Sequence, residues 1–166
     1  MDMIKTKDPK FVLRHATVQD AGLIVAFMHK LGAYQKMADE IIVTEDNIRN
    51  LLETSQGEAV FGIYEGKTVG FMFFCQKSSA FTGRSGLFID AFFIDEGMRH
   101  LGLGKVMMAY LSKLALARGG QMLEWVCLDW NAATIKFYEG LGAYSLDMLT
   151  TYRLSPDDLR KTAGGF

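Results

Sequence analysis

Cysteine is scarce in this 166-residue sequence, with two residues in all. Cys75 and Cys127 make neither a disulfide framework nor a zinc site, and Cys127, in a strand-like run, reads as a small buried hydrophobe. Charge of one sign is also missing. Eighteen Lys and Arg stand against nineteen Asp and Glu, a net charge of −1. Without a basic excess, nucleic acid and anionic membranes are not expected partners. No apolar run approaches the roughly 18 residues of a membrane span. The opening, Met1 to Lys10, is charged and has no apolar h-region, so no signal peptide is expected and a reducing cytoplasm is the expected location. Three histidines, His15, His29 and His100, stand at no metal-ligand spacing, so no metal is expected.

What is present is ordinary for a soluble globular chain: 49% apolar and 22% charged residues, in a length that suits one domain with a proper core. Phe11 to His15 reads as a first strand. Thr17 then caps a helix running to about Met37, with Asp20 as the acid of a capping box and Leu23, Phe27 and Leu31 at helical spacing. Thr44-Glu45-Asp46 caps a second helix carrying Ile48, Leu51 and Leu52. Glu58 to Tyr64 and Lys67 to Gln76 flank Glu65-Gly66, a hairpin signal. Leu87 to Ile94 is almost wholly apolar, as in a strand buried on both faces. Leu103, Met107, Leu111 and Leu114 mark an amphipathic helix ending at Gly119-Gly120. Met122 to Leu128 is another strand, Asn131 to Glu139 a short helix, and Leu149 to Leu154 a last strand. Beyond Ser155 the tail is expected to fray. The order predicts a single-domain mixed α/β fold, its mainly antiparallel sheet flanked by helices.

Between the buried strand and the amphipathic helix stands Arg99-His100-Leu101-Gly102-Leu103-Gly104. A helix N-terminus offers unpaired N–H groups and about half a positive charge. Glycines let the backbone take positive φ and approach an anion closely. The amides from Leu101 to Lys105 could converge on a pyrophosphate, with Arg99 adding charge. A Walker loop is excluded, because Val106 follows Lys105 where Ser or Thr would hold Mg²⁺, and Arg99 replaces the first glycine. A dinucleotide fingerprint fails too, with Met107 at the third glycine position. The bland alternative is a tight strand-to-helix turn with a glycine bend.

This loop resembles the acetyl-CoA pyrophosphate loop of the GNAT superfamily of N-acetyltransferases. Asp129-Trp130-Asn131 and Phe137-Tyr138-Glu139-Gly140-Leu141-Gly142-Ala143 resemble the second half of that signature, and the element order matches across the domain, taken as residues 8–155 with a tail at 156–166. Ala33-Tyr34-Gln35-Lys36-Met37, Val43-Thr44-Glu45 and Leu87 to Ile94 are similar to the diamine (spermidine/spermine) and thialysine acetyltransferases.

The resemblance implies an enzyme that moves an acetyl group from acetyl-CoA to a primary amine of a small cationic acceptor, polyamine or lysine-like. Tyr138 would be the general acid. A phenol with pKa near 10 stays protonated at pH 7 and can donate to a departing thiolate. Phe92, Phe93 and Ile94 would pair through their backbones with the pantetheine arm, one N–H polarising the thioester carbonyl. Arg99, His100, Leu101, Gly102, Leu103, Gly104 and Lys105 would hold the pyrophosphate. Asn131, Thr134 and Phe137 would contact the CoA arm, Asn131 being also a good N-cap by type. Tyr34, Asp90 and Trp130 would line the acceptor site. Asp90, a carboxylate in an apolar run, is costly unless paired, and could attract the cationic amine and help remove its proton. The polyamine enzymes carry two adjacent acids here, whereas Ala91 follows Asp90, so one anionic contact is missing. The resemblance implies a homodimer. Two alternatives remain: acetylation of a protein or peptide amine, and a CoA-binding module without catalysis.

Overall fold

The computed structural model describes residues 3–166; Met1 and Asp2, part of the charged opening, lie outside the described residues. The fold is mixed α/β, a six-stranded sheet flanked by helices. Its strands are β1 (Ile4–Lys5), β2 (Phe11–His15), β3 (Glu58–Tyr64), β4 (Lys67–Ser79), β5 (Arg84–Ile94) and β6 (Met122–Trp125), and its helices are α1 (Ala21–Tyr34), α2 (Glu45–Glu53), α3 (Leu103–Ala117), α4 (Ala132–Glu139) and α5 (Pro156–Ala163). Strand order in the sheet follows chain order. Every neighbouring pair is antiparallel except β5 and β6, which are parallel and joined through α3. The chain clusters into two compact units, Met1–Asp129 and Trp130–Phe166.

Local chemistry sets the helix starts. The Thr17 amide donates to Asp20 Oδ2 at 2.7 Å, closing the expected capping box, and Arg14 grips the same carboxylate with two nitrogens at 2.8 and 2.9 Å. This pair holds the Asp20 carboxyl down at about 2. Thr44 caps α2 by accepting from the Asn47 amide. One face of the sheet, with Ala59, Phe61, Phe71, Phe73, Ala91 and Phe93, packs against Ile24, Phe27 and Leu31 of α1 and Ile48 of α2. Phe27 stacks on Phe71 at 5.1 Å between centroids. The other face lies against α3. Gly62 and Gly70, register partners on β3 and β4, leave the space that Met107 fills. A Cβ on either would stand 3.1 or 3.4 Å from its sulfur.

Four sequence expectations are corrected. Leu149–Leu154 forms no strand, and β6 stops at Trp125 rather than Leu128, leaving Cys127 in a loop and half-buried. A strand exists only where a neighbour takes its hydrogen bonds, which apolar alternation alone does not provide. α1 ends at Tyr34, where the chain turns through Lys36 at φ 59°. Ser155 caps α5 by accepting from the Asp158 amide, so the expected frayed tail is helical at 156–163.

Candidate active site

Strand β5 carries a bulge at its centre. Phe73 of β4 pairs with Ala91 and the next residue, Phe74, pairs with Ile89, so Asp90 has no register partner on β4. The extra residue flips the alternation. Ala91 and Phe93 face α1 and α2, while Ile89, opposite Phe74, faces the α3 side. The bulge also corrects the expected burial of Asp90: it is exposed, so its carboxylate does not bear the desolvation cost of a core acid. On its other edge β5 pairs with β6 from Gly86↔Met122 to Ile89↔Trp125, and β5 continues to Ile94 past the end of that ladder.

After Ile94 the chain makes a short turn. The Asp95 amide donates to the Val69 carbonyl at 2.8 Å, and Lys30 of α1 reaches the Asp95 carboxylate at 2.8 Å. Arg99 folds back onto the strand. Its Nε donates to the Ile94 carbonyl at 3.1 Å, and its guanidinium lies 4.2 Å from the Tyr34 ring centre and 5.4 Å from that of Phe93. These four expected site residues, Tyr34, Phe93, Ile94 and Arg99, are therefore brought together. Arg99 staples the loop to the strand while keeping its charge at the loop's base.

His100 takes φ 65° and Gly102 takes φ 80° as the N-cap of α3. Positive φ on either side of Leu101 bends the chain sharply into the helix. The first amide bonded at this end of α3 is that of Val106, to the Gly102 carbonyl at 3.2 Å; among the described residues, those of His100 to Lys105 donate to no protein acceptor. His100, Leu101, Gly102 and Lys105 are exposed, while Leu103 is buried and anchors the helix. A Cβ on Gly102 would meet nothing within 4 Å, so this face of the turn is open. A row of amides without protein acceptors at a helix N-terminus suits an anion.

In the second unit, Asn131 is buried and caps α4, accepting from the Thr134 amide at 3.3 Å. Tyr138 and Phe137 sit half-buried near the end of α4, ring centres 5.3 Å apart, and the Tyr138 carbonyl accepts from Ala143 at 3.2 Å. Trp130 is exposed. One helix thus carries Thr134, Phe137 and Tyr138, with Asn131 at its cap.

Sequence reading missed an ion pair on β4 and β6. Lys77 bonds the Glu124 carboxylate, and its ammonium lies 5.1 Å from the Phe88 ring centre. The sequence signal was Glu124 within the otherwise apolar run Met122 to Leu128, with Lys77 just past the strand read as ending at Gln76. Nearby, burial pushes the Cys75 thiol up, the Asp90 carboxylate adds to the rise and the Lys77 ammonium opposes it. The acids Glu45 and Asp46 at the start of α2 lie exposed and pair with Arg49, a solvated helix face.

Comparison with known proteins agrees with this architecture. Residues 26–143 match the model of the acetyltransferase (GNAT) family. An L-ornithine N5-acetyltransferase of Arabidopsis thaliana is 33% identical over 91 residues, 55% of this chain and 40% of the relative. A thialysine N-epsilon-acetyltransferase of Caenorhabditis elegans is 25% identical over 129 residues, 78% of this chain and 80% of the relative. A human spermidine/spermine N(1)-acetyltransferase-like protein 1 is 26% identical over 156 residues, covering 87% of this chain and 22% of the relative. The chain thus spans less than half of the ornithine and spermidine/spermine relatives and most of the thialysine one. Among solved structures, an integron cassette protein from the mobile metagenome of V. cholerae shares the fold, with TM-score 0.75 and 21% identity over 93% of this chain and 98% of that one. With the family model covering most of its length, this chain belongs to the GNAT family of acetyltransferases.

Proposed function

We propose that this chain transfers the acetyl group of acetyl-CoA to a primary amine of a small cationic acceptor, polyamine or lysine-like. The observation that carries this reading is the row of amides from His100 to Lys105 that, among the described residues, donate to no protein acceptor, shortly after a strand that outruns its parallel neighbour. Acetyl-CoA would bring the activated acetyl thioester and a pyrophosphate. The loop amides and Gly102 fit the pyrophosphate, and Arg99 adds charge at the loop's base. The strand end at Phe92, Phe93 and Ile94 suits the pantetheine arm, with one N–H polarising the thioester carbonyl. Asn131, Thr134 and Phe137 would flank the arm.

Asp90, exposed on its bulge, attracts the acceptor's ammonium and passes one of its protons to water. The neutral nitrogen then attacks the carbonyl carbon. A C–N bond forms, the C–S bond breaks, and Tyr138 gives its proton to the departing sulfur. The proton that the nitrogen sheds returns to Tyr138. The products are the N-acetyl amine and the free thiol. Tyr34 and Trp130 complete the acceptor site in this reading.

We infer a homodimer in a reducing cytoplasm. Exposed Tyr144, Leu146, Met148 and Tyr152 suit a covering partner copy, and both cysteines are free. No helix of the described residues is long and apolar enough to cross a membrane.

The test is thiol release from acetyl-CoA against polyamines, basic amino acids and a basic peptide, with Tyr138→Phe in parallel. The expected result is release with small amines and a fall of about 10²- to 10⁴-fold in kcat for the variant at similar acetyl-CoA affinity. Release with the peptide alone moves the acceptor to a protein amine. Acetyl-CoA binding with no release from any amine leaves a binding module.

A further inference from the structure

The sheet face covered by α1 and α2 does not end with those helices. Along β4, side chains two apart share a face, so Cys75 and Lys77 continue the row of Phe71 and Phe73. Across the ladder, Cys75 pairs with Phe88 of β5, and Phe88 pairs in turn with Glu124 of β6. Lys77 spans this row. Its ammonium passes over the Phe88 ring and bonds the Glu124 carboxylate. Both ends keep contact with water: the Lys77 side chain is 43% exposed and that of Glu124 28%. This is a zwitterionic patch with an aromatic floor.

Its position relative to Asp90 is fixed by the strand. Phe88 and Asp90 are two residues apart on β5, at most about 7 Å along a strand that the bulge bends at Asp90. Asp90 is within electrostatic range of the same Cys75 that senses Lys77. A lysine-like side chain is of comparable length. A linear diamine has no anionic group for Lys77 to hold. An amino acid has both an anion and a cation at one end.

Resting on the acetyl-transfer reading, we propose that the Lys77–Glu124 pair across Phe88 is the headgroup site that makes the acceptor a basic amino acid. Lys77 binds its α-carboxylate and Glu124 its α-ammonium, so that the side-chain amine extends to Asp90. A lysine ammonium has three donors, and its bond to Glu124 takes one, so the pair can stay joined while the headgroup binds. The four charges then alternate in sign. The Phe88 ring excludes water from one side of them.

The experiment compares acceptors that share the reacting amine and differ at the head: lysine, lysine amide, Nα-acetyl-lysine and 1,5-diaminopentane. The quantity read is the ratio of kcat/KM for lysine to that for 1,5-diaminopentane within each protein. A charge-assisted contact of this exposure predicts a ratio of at least about tenfold in the unaltered protein. Lysine amide should lose most of that advantage. Lys77→Gln should lower the ratio about tenfold, and Glu124→Gln should lower it through the α-ammonium, seen as a smaller penalty for Nα-acetyl-lysine. Because the ratio is internal to each protein, lost stability moves both of its terms alike. A ratio near one in the unaltered protein, or one that Lys77→Gln leaves unchanged, overturns the proposal while acetyl transfer stands. If no acceptor releases thiol, the acetyl-transfer reading fails, and calorimetry on the CoA-loaded protein decides the headgroup site alone. Lysine binding that exceeds 1,5-diaminopentane binding and is lost in Lys77→Gln supports the site, and equal binding overturns it.

Discussion

Gly102→Ala separates the conformational role of the glycine turn from the pyrophosphate binding proposed for it. Gly102 sits at φ 80°, and a Cβ there would meet nothing within 4 Å. The packing cost is therefore nil, and the cost of holding alanine in the left-handed region is about 1 kcal/mol. For a chain of this size that lowers Tm by roughly 2–4 °C. Gly66 is a matched control. It has φ 81° and equally open surroundings, but it lies in the β3–β4 hairpin turn. Gly66→Ala should show the same melting shift. Only Gly102→Ala places a methyl group on the open face of the amide row. Losing charge-assisted N–H contacts to a phosphate should raise KM for acetyl-CoA about 10- to 100-fold, with kcat changed much less. Thermal melting and steady-state thiol release read the two effects. An unchanged acetyl-CoA KM in Gly102→Ala, alongside matched melting shifts, would show that the turn does not bind the pyrophosphate.

Acid stability depends in part on Asp20. Its carboxyl, at about 2 against an ordinary 3.8, contributes stability that is full above the ordinary value and is lost as pH falls from there towards 2. The shift corresponds to about 2 kcal/mol at most, and Asp20→Asn should flatten the loss of ΔG of unfolding between pH 4 and pH 2, followed by urea denaturation at each pH. His15 has the opposite charge type and adds to the acid sensitivity. Burial lowers its pKa from 6.5, so the unfolded chain takes up the proton first and stability falls as pH drops below that value; His15→Gln should reduce this slope between pH 7 and pH 5. Asn131→Ala removes the cap of α4 and should cost about 1 kcal/mol, seen as faster amide exchange at Thr134 and its neighbours. An exchange rate unchanged at Thr134 would deny Asn131 its capping role.

The sequence by itself determined the features made by residues close along the chain. The Glu65-Gly66 hairpin turn, the Thr17 and Thr44 caps, the glycine turn before α3 and the Asn131 cap all rest on bonds or φ values within a few residues, which local side-chain chemistry specifies. That a glycine turn at a helix N-terminus stands after a buried strand was legible for the same reason. The tertiary structure decided what needs a distant partner. Asp90 became exposed because β4 sets the register on β5 and leaves one residue over. Arg99 turned inward because Tyr34 and Phe93, far away in sequence, present rings for its guanidinium. Leu149–Leu154, expected as a last strand, is not one, because pairing is a property of two segments and not of one. Lys77 and Glu124 meet across Phe88 only because β4, β5 and β6 lie side by side, an adjacency that no spacing within the chain encodes.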